Sequence, residues 1–287
     1  MPGAADRVRE ALDTDGYVVV PTALPAAMLE AVVDDICRHA GARLDDPATW
    51  YQPDVIRPRA GMVEMYHYQS MWEVRQHPAV YEIFRGLHGQ RELWVSIDRV
   101  AFKPPARPDR PGYDQGGFIH WDTDMNRYPG IAFHLQGVLA LQDTSADMGG
   151  FQCVPSVYRD QRRFLDEWSR GGPVPRAPDI GGEPVVKVPL AAGDLAIWQT
   201  TLLHGNGRNS ARRPRLAQYV TMNPPPRAGQ PREAVRQERI SCWSTCRPPA
   251  GDAFPGDPRR IEEEHGQPAS LSPLGRRLLG LDEWPRD

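Results

Sequence analysis

Apolar residues recur at two periods along this chain, and the change of period divides it. Between Ala23 and Ala40, Leu29, Val32, Val33 and Ile36 fall three and four apart, which predicts an amphipathic helix. Residues 5–13 and Ser70–Leu87 are also helical in character, the second interrupted at Pro78 and punctuated by Gly89. A β-branched strand, Gly16-Tyr17-Val18-Val19-Val20, separates the first two helices. From Glu92 to Lys103 the period falls to two. Ile97, Arg99, Ala101 and Lys103 then share one face, with Asp98, Val100 and Phe102 on the other. More strands are predicted at Ile131–Gln142, at Phe151–Val154, at Val185–Val188, at Leu195–Trp198, around His204 and over Arg213–Thr221. Pro104–Gly117 holds four prolines and three glycines and reads as a long loop that could close over a site, a lid.

Short strands with turn signals between them indicate a sandwich or a closed barrel. Helices gather at both ends of the chain instead of alternating with strands, which argues against a doubly wound sheet. The expected architecture is mainly β with flanking helices, as one domain over residues 1–287. Residues 1–90 give helical support, 91–224 the barrel core, and 225–287 a Pro/Arg-rich extension packed on it, with helices near 232–239 and 273–281.

Composition narrows the function classes. A length of 287 residues with 40% hydrophobic content allows a sizeable core, and thirty prolines oppose a mainly helical protein. A formal charge of −3 gives no electrostatic case for nucleic acid or an anionic membrane. Cys37, Cys153, Cys242 and Cys246 contain no Cys-x-x-Cys and make no disulfide framework. With no apolar signal core and no run of 18 apolar residues, a cytoplasmic location is expected.

The candidate chemistry lies in Gly117-Phe118-Ile119-His120-Trp121-Asp122-Thr123-Asp124. On a strand, positions i and i+2 leave the same face, so His120 and Asp122 point together and Trp121 points away. Of the eight histidines, the other with a carboxylate two residues off is His265, and it sits in the charge run Arg259–His265, a solvated helix. His204 follows in Leu202-Leu203-His204-Gly205-Asn206. Two histidines and a carboxylate form a facial triad with open coordination positions, the set used by non-haem Fe(II) oxygenases.

The ordered features Gly16-Tyr17-Val18-Val19, Lys103-Pro104-Pro105 ahead of His120-x-Asp122, Gly149-Gly150-Phe151-Gln152-Cys153-Val154-Pro155, and His204 with Arg215 resemble the phytanoyl-CoA dioxygenase family. They span roughly residues 10–224. The resemblance implies a double-stranded β-helix (jelly roll) in which His120, Asp122 and His204 hold Fe(II). It implies that Arg215 binds the distal carboxylate of 2-oxoglutarate, a task suited to a planar guanidinium fork. It further implies hydroxylation or another oxidation of an unactivated C–H bond of a small molecule, natural-product intermediates among the candidates. O2 would be consumed and succinate and CO2 released, with ascorbate helpful in vitro. Because Asp122 is intact, hydroxylation is favoured over halogenation. One departure from the family pattern, Ser156-Val157-Tyr158 after Val154-Pro155, leaves the ligands untouched. Gln136 and Lys103 are candidate co-substrate contacts; Arg99, Tyr66 and His67 are candidate substrate contacts. Two rival readings remain: a cupin-type metal enzyme that does not use 2-oxoglutarate, and a non-catalytic barrel that binds a small molecule.

Overall fold

The computed structural model describes residues 4–58, 61–114, 117–227 and 232–285. Its strands are β1 (Tyr17–Pro21), β2 (Met62–Val63), β3 (Trp94–Val95), β4 (Val100–Lys103), β5 (Leu135–Ala140), β6 (Phe151–Cys153), β7 (Val186–Lys187), β8 (Asp194–Gln199), β9 (His204–Asn206), β10 (Arg215–Tyr219) and β11 (Met222–Asn223). Nine α-helices are described: α1 (Ala4–Asp15), α2 (Ala26–Ala40), α3 (Gln69–Arg75), α4 (Pro78–His88), α5 (Pro155–Arg159), α6 (Gln161–Trp168), α7 (Arg232–Ser244), α8 (Ile261–His265) and α9 (Pro273–Leu279). None is long and apolar enough to cross a membrane.

A six-stranded antiparallel sheet in the order β1-β8-β5-β10-β4-β2 faces a three-stranded sheet in the order β7-β6-β9. Alternation along each long strand sorts side chains between two environments. Leu135, Leu139, Leu195, Ile197, Leu216 and Phe102 turn outward and pack under helices α1–α4, against Leu12, Val32, Ile36, Trp72 and Phe84. Their neighbours Ala101, Val138, Ala140, Ala196, Trp198 and Ala217 turn inward, against Phe151 and Cys153 of the small sheet. The predicted jelly-roll class is therefore the observed one.

Two predicted strands are shorter than their apolar patterns suggest, each for a visible reason. The 92–103 stretch breaks between β3 and β4 because the Arg75 guanidinium takes the Asp98 carbonyl, while the Asp98 carboxylate accepts the Arg99 amide. β5 starts only at Leu135, where the Asn223 side chain bonds both its N–H and its C=O (2.8 and 2.9 Å). The N-terminal region is more than helical support, since β1 and β2 complete the large sheet. The C-terminal region is pinned to the body by Arg239, which donates to the Val95, Leu278 and Leu279 carbonyls. The described part of the 104–117 loop is tied down: Tyr113 is buried, and Asp114 pairs with Arg208. Gln115 and Gly116 lie outside the described residues.

Candidate metal centre

β9 presents His204 and Asn206 on one face, because they are two apart. Gly205 between them has a packing reason: a Cβ there would stand 1.7 Å from the Phe118 carbonyl oxygen. Its absence lets the 118–120 backbone lie against β9. His120 and His204 then exchange both backbone hydrogen bonds (2.9 and 3.1 Å), and their rings come to 5.0 Å between centroids. This pair is an isolated bridge; the strand expected over His120–Asp122 is otherwise missing, and Asp122 sits in a bend. The two side chains still converge as the spacing implied. One potential ligand atom from each of His120, Asp122 and His204 lies within 4.8 Å of the others.

The surroundings decide protonation. His204 Nδ1 lies 3.0 Å from the Leu202 carbonyl, which can only accept, so Nδ1 carries a proton and Nε2 turns to the centre. Asp122 Oδ2 is 3.4 Å from that Nε2, and Oδ1 is 3.1 Å from His120 Nε2. Burial opposes ionisation of Asp122, yet its interactions with the His120, His204 and Gln136 side chains outweigh it and hold the carboxyl well below the usual range. Two imidazole nitrogens facing one carboxylate need positive charge between them, either a proton or an ion. A divalent cation fits the donor set, which matches a 2-His-1-carboxylate facial triad. On the outer side of His120, the exposed Phe118 ring stacks at 4.5 Å.

Support for Asp122 comes from two groups. Gln136 Nε2 donates to Oδ2 at 2.9 Å while its Oε1 accepts from Trp198 Nε1 at 2.9 Å. Arg176 Nη2 donates to Oδ1 at 2.7 Å. Gln136, considered above for the co-substrate, thus has its amide engaged by the Asp122 carboxylate and the Trp198 indole.

The triad opens on a cavity of about 520 Å³ between the two sheets. Val138, Trp198 and Tyr219 line it from the large sheet and Phe151, His204 and Asn206 from the small one, with Arg99 and Phe254 farther round the wall. Beyond Asn206 lie Arg215 and Lys103, both 1% exposed and register partners on β10 and β4. Arg215 Nη1 donates to Asn206 Oδ1 at 3.2 Å, and its buried Nη2 has no partner. Lys103 Nζ donates to the Gly207 carbonyl. Burial, with repulsion from Arg215, pushes Lys103 down to about 7. Neither basic side chain pairs with a carboxylate among the described residues, and buried charge of one sign without a counter-ion is costly. From His204 to Asn206 is one two-residue step, roughly 7 Å.

Arg99, Tyr66 and His67 need correction. Arg99 lines the cavity, but its guanidinium already donates to Glu64 (2.8 Å) and Asp98 (3.4 Å) and lies 4.6 Å from the Phe254 ring, so it is a wall and not a free anion receptor. Tyr66 is a core residue whose hydroxyl donates to Glu64. His67 is buried away from the triad, with Nε2 on the Arg247 carbonyl. Burial lowers it to about 3, which keeps the ring neutral. The backbone N–H groups of Tyr66 and His67 donate to Glu262 from the C-terminal region. Sequence reasoning missed Asn206, Phe254 and Arg176. Asn206 was findable, two positions from His204 on one strand; Arg176 and Phe254 sit in loops with no periodicity to mark them.

A sequence profile of the phytanoyl-CoA dioxygenase (PhyH) family matches residues 12–217. A Dictyostelium discoideum protein named "Putative phytanoyl-CoA dioxygenase" is 21% identical over 203 residues, which span 58% of this chain and 57% of that protein, little more than half its length. Among solved structures, a hypothetical protein of Escherichia coli superimposes with a TM-score of 0.69 at 17% identity, over 98% of this chain and 82% of that one. The epimerase SnoN, solved with Fe3+, alpha-ketoglutarate and nogalamycin RO, gives 0.53 at 20% identity, over 78% of this chain and 85% of its own. The first of these includes the flanking helices, so they belong to the shared fold.

Proposed function

This chain belongs to the phytanoyl-CoA dioxygenase family, enzymes that use iron and 2-oxoglutarate, and from that premise we propose that it hydroxylates an unactivated C–H bond of a small molecule. His120, Asp122 and His204 would hold Fe(II), and Arg215 with Lys103 would grip the distal carboxylate of 2-oxoglutarate. When bound, iron supplies the activation of O2, coupled to decarboxylation of the co-substrate to succinate and CO2. The chain does the rest. His204 offers a neutral Nε2, its tautomer set by Leu202. Asp122 stays ionised and fills the position a halide would need, which favours hydroxylation. Phe151 and Trp198, stacked at 4.5 Å, form an apolar wall that keeps water from the space between the sheets. Substrate would lie along the part of the cavity wall formed by Arg99 and Phe254.

The observation that carries this reading is the triad together with Arg215 and Lys103, two buried basic side chains with no carboxylate partner among the described residues, Arg215 reaching Asn206 two positions from His204. A metal enzyme that did not bind 2-oxoglutarate would have no use for Arg215 and Lys103. The test is incubation with Fe(II), ascorbate and 2-oxoglutarate in air, reading succinate. The expected result is slow succinate formation that needs both iron and 2-oxoglutarate and speeds up when a true substrate is present. If no succinate forms under any condition, the cupin-type or the non-catalytic reading replaces this one.

A further inference from the structure

The backbone at Asp122 lacks the strand that would ordinarily aim a ligand. Past the single His120–His204 bridge, nothing on β9 pairs with residues 121 or 122. A residue of the loop after α6 takes that place. The Arg176 carbonyl accepts the Trp121 N–H at 3.0 Å, its Nε donates to the Trp121 carbonyl at 2.9 Å, and its Nη2 donates to Asp122 Oδ1 at 2.7 Å. One arginine therefore holds both polar groups of residue 121 and the carboxylate of residue 122. The planar fork is what allows the last two contacts together. On the far side of the segment, Trp121 Nε1 donates to the Thr201 carbonyl and its ring packs against Trp168. Gln136 reaches the other carboxylate oxygen.

We propose that Arg176 is a positioning residue for the metal ligand Asp122, standing in for the missing strand partner and aiming the carboxylate at the ion. This rests on the iron assignment above. Arg176 lines the cavity yet is mostly solvent-exposed, so its contribution is geometric and not that of a buried ion pair. Trp121 still anchors the segment when the guanidinium is removed, so a variant keeps its fold.

The experiment uses the full chain and Co(II) as the probe, titrated anaerobically and read by ligand-field absorption and calorimetry. Arg176→Met should weaken Co(II) binding by about 10- to 100-fold, the usual cost of losing an outer partner of a ligand. It should also alter the ligand-field spectrum, with melting of the metal-free protein unchanged. Arg176→Lys should recover only part, because an ammonium cannot hold the Trp121 carbonyl and Asp122 together. In uncoupled turnover, KM for 2-oxoglutarate should stay constant while kcat falls, since Arg215 lies at the other end. Wild-type affinity and spectrum in Arg176→Met would overturn the inference. If Arg176→Met fails to fold, wild-type affinity in Arg176→Lys would overturn it equally. Failure of the wild-type chain to bind Co(II) or Fe(II) would instead sink the iron assignment, which keeps the two failures distinct.

Discussion

The two ends of the site are built by different means. At the deep end, behind the cavity wall at Asn206, Arg215 and Lys103 sit on neighbouring strands in a regular ladder, buried, their directions fixed by alternation. At the rim, Asp122 lies in a bend and is aimed by side chains from three separate places: His120, Gln136 and Arg176. The deep end holds two buried basic groups with no carboxylate partner among the described residues. The rim holds a carboxylate with several side-chain partners but has little backbone pairing to hold it. On the proposed function the two ends would divide the labour, the strand ladder gripping one constant co-substrate and the side-chain-supported rim holding the metal.

The largest effect should come from breaking the rim at its buried member. His204→Ala should abolish iron-dependent succinate formation while the fold survives by circular dichroism; persistent turnover would mean the ligand is misassigned. Next comes the deep end. Arg215→Met should lower kcat/KM for 2-oxoglutarate about 100-fold, roughly 2.7 kcal/mol, the scale of a lost charge-assisted contact. It should leave Tm unchanged or raised, because it removes a buried guanidinium whose Nη2 has no partner. A fall in both activity and Tm would make Arg215 a structural residue. A smaller effect, about 10-fold weaker metal binding, is expected for Gln136→Leu, which strips one support from Asp122 and spares 2-oxoglutarate affinity.

Smallest is a pH effect confined to the deep end. Lys103 has its folded pKa depressed to about 7 from 10.5, so between those values the folded chain holds fewer protons than the unfolded one. Its contribution to stability therefore rises with pH across that window and is least favourable below 7. A bound carboxylate favours the charged amine and reverses the shift. The affinity for 2-oxoglutarate should thus be greatest near or below pH 7 and fall about fivefold from pH 7 to 8, as the protonated fraction falls. A flat profile would remove Lys103 from the co-substrate contacts.

What was legible in the sequence follows the same division. Alternation in Arg213–Thr221 let Arg215 point inward and left Lys103 open to either side; the structure buries both. The convergence of His120, Asp122 and His204 was legible because each member stands by spacing or by a short motif, even though the strand assumed under His120–Asp122 is a single bridge. Arg176 was invisible, since a Pro-rich loop carries no period from which to predict which side chain returns to the site. Tyr66 and His67 were misplaced for the converse reason: an aromatic cluster looks alike at a pocket mouth and in a core, and only Glu262, almost 200 residues on, marks it as core.

The central claim is that one ion and one diacid occupy the space between His120, Asp122, His204 and Arg215. Diffraction from crystals grown anaerobically with Fe(II) and 2-oxoglutarate, using anomalous scattering at the iron edge, tests it most directly. The account predicts a single iron coordinated by those three side chains, with the far carboxylate of the diacid on the Arg215 guanidinium. Iron bound elsewhere, or a diacid that leaves Arg215 untouched, would contradict it.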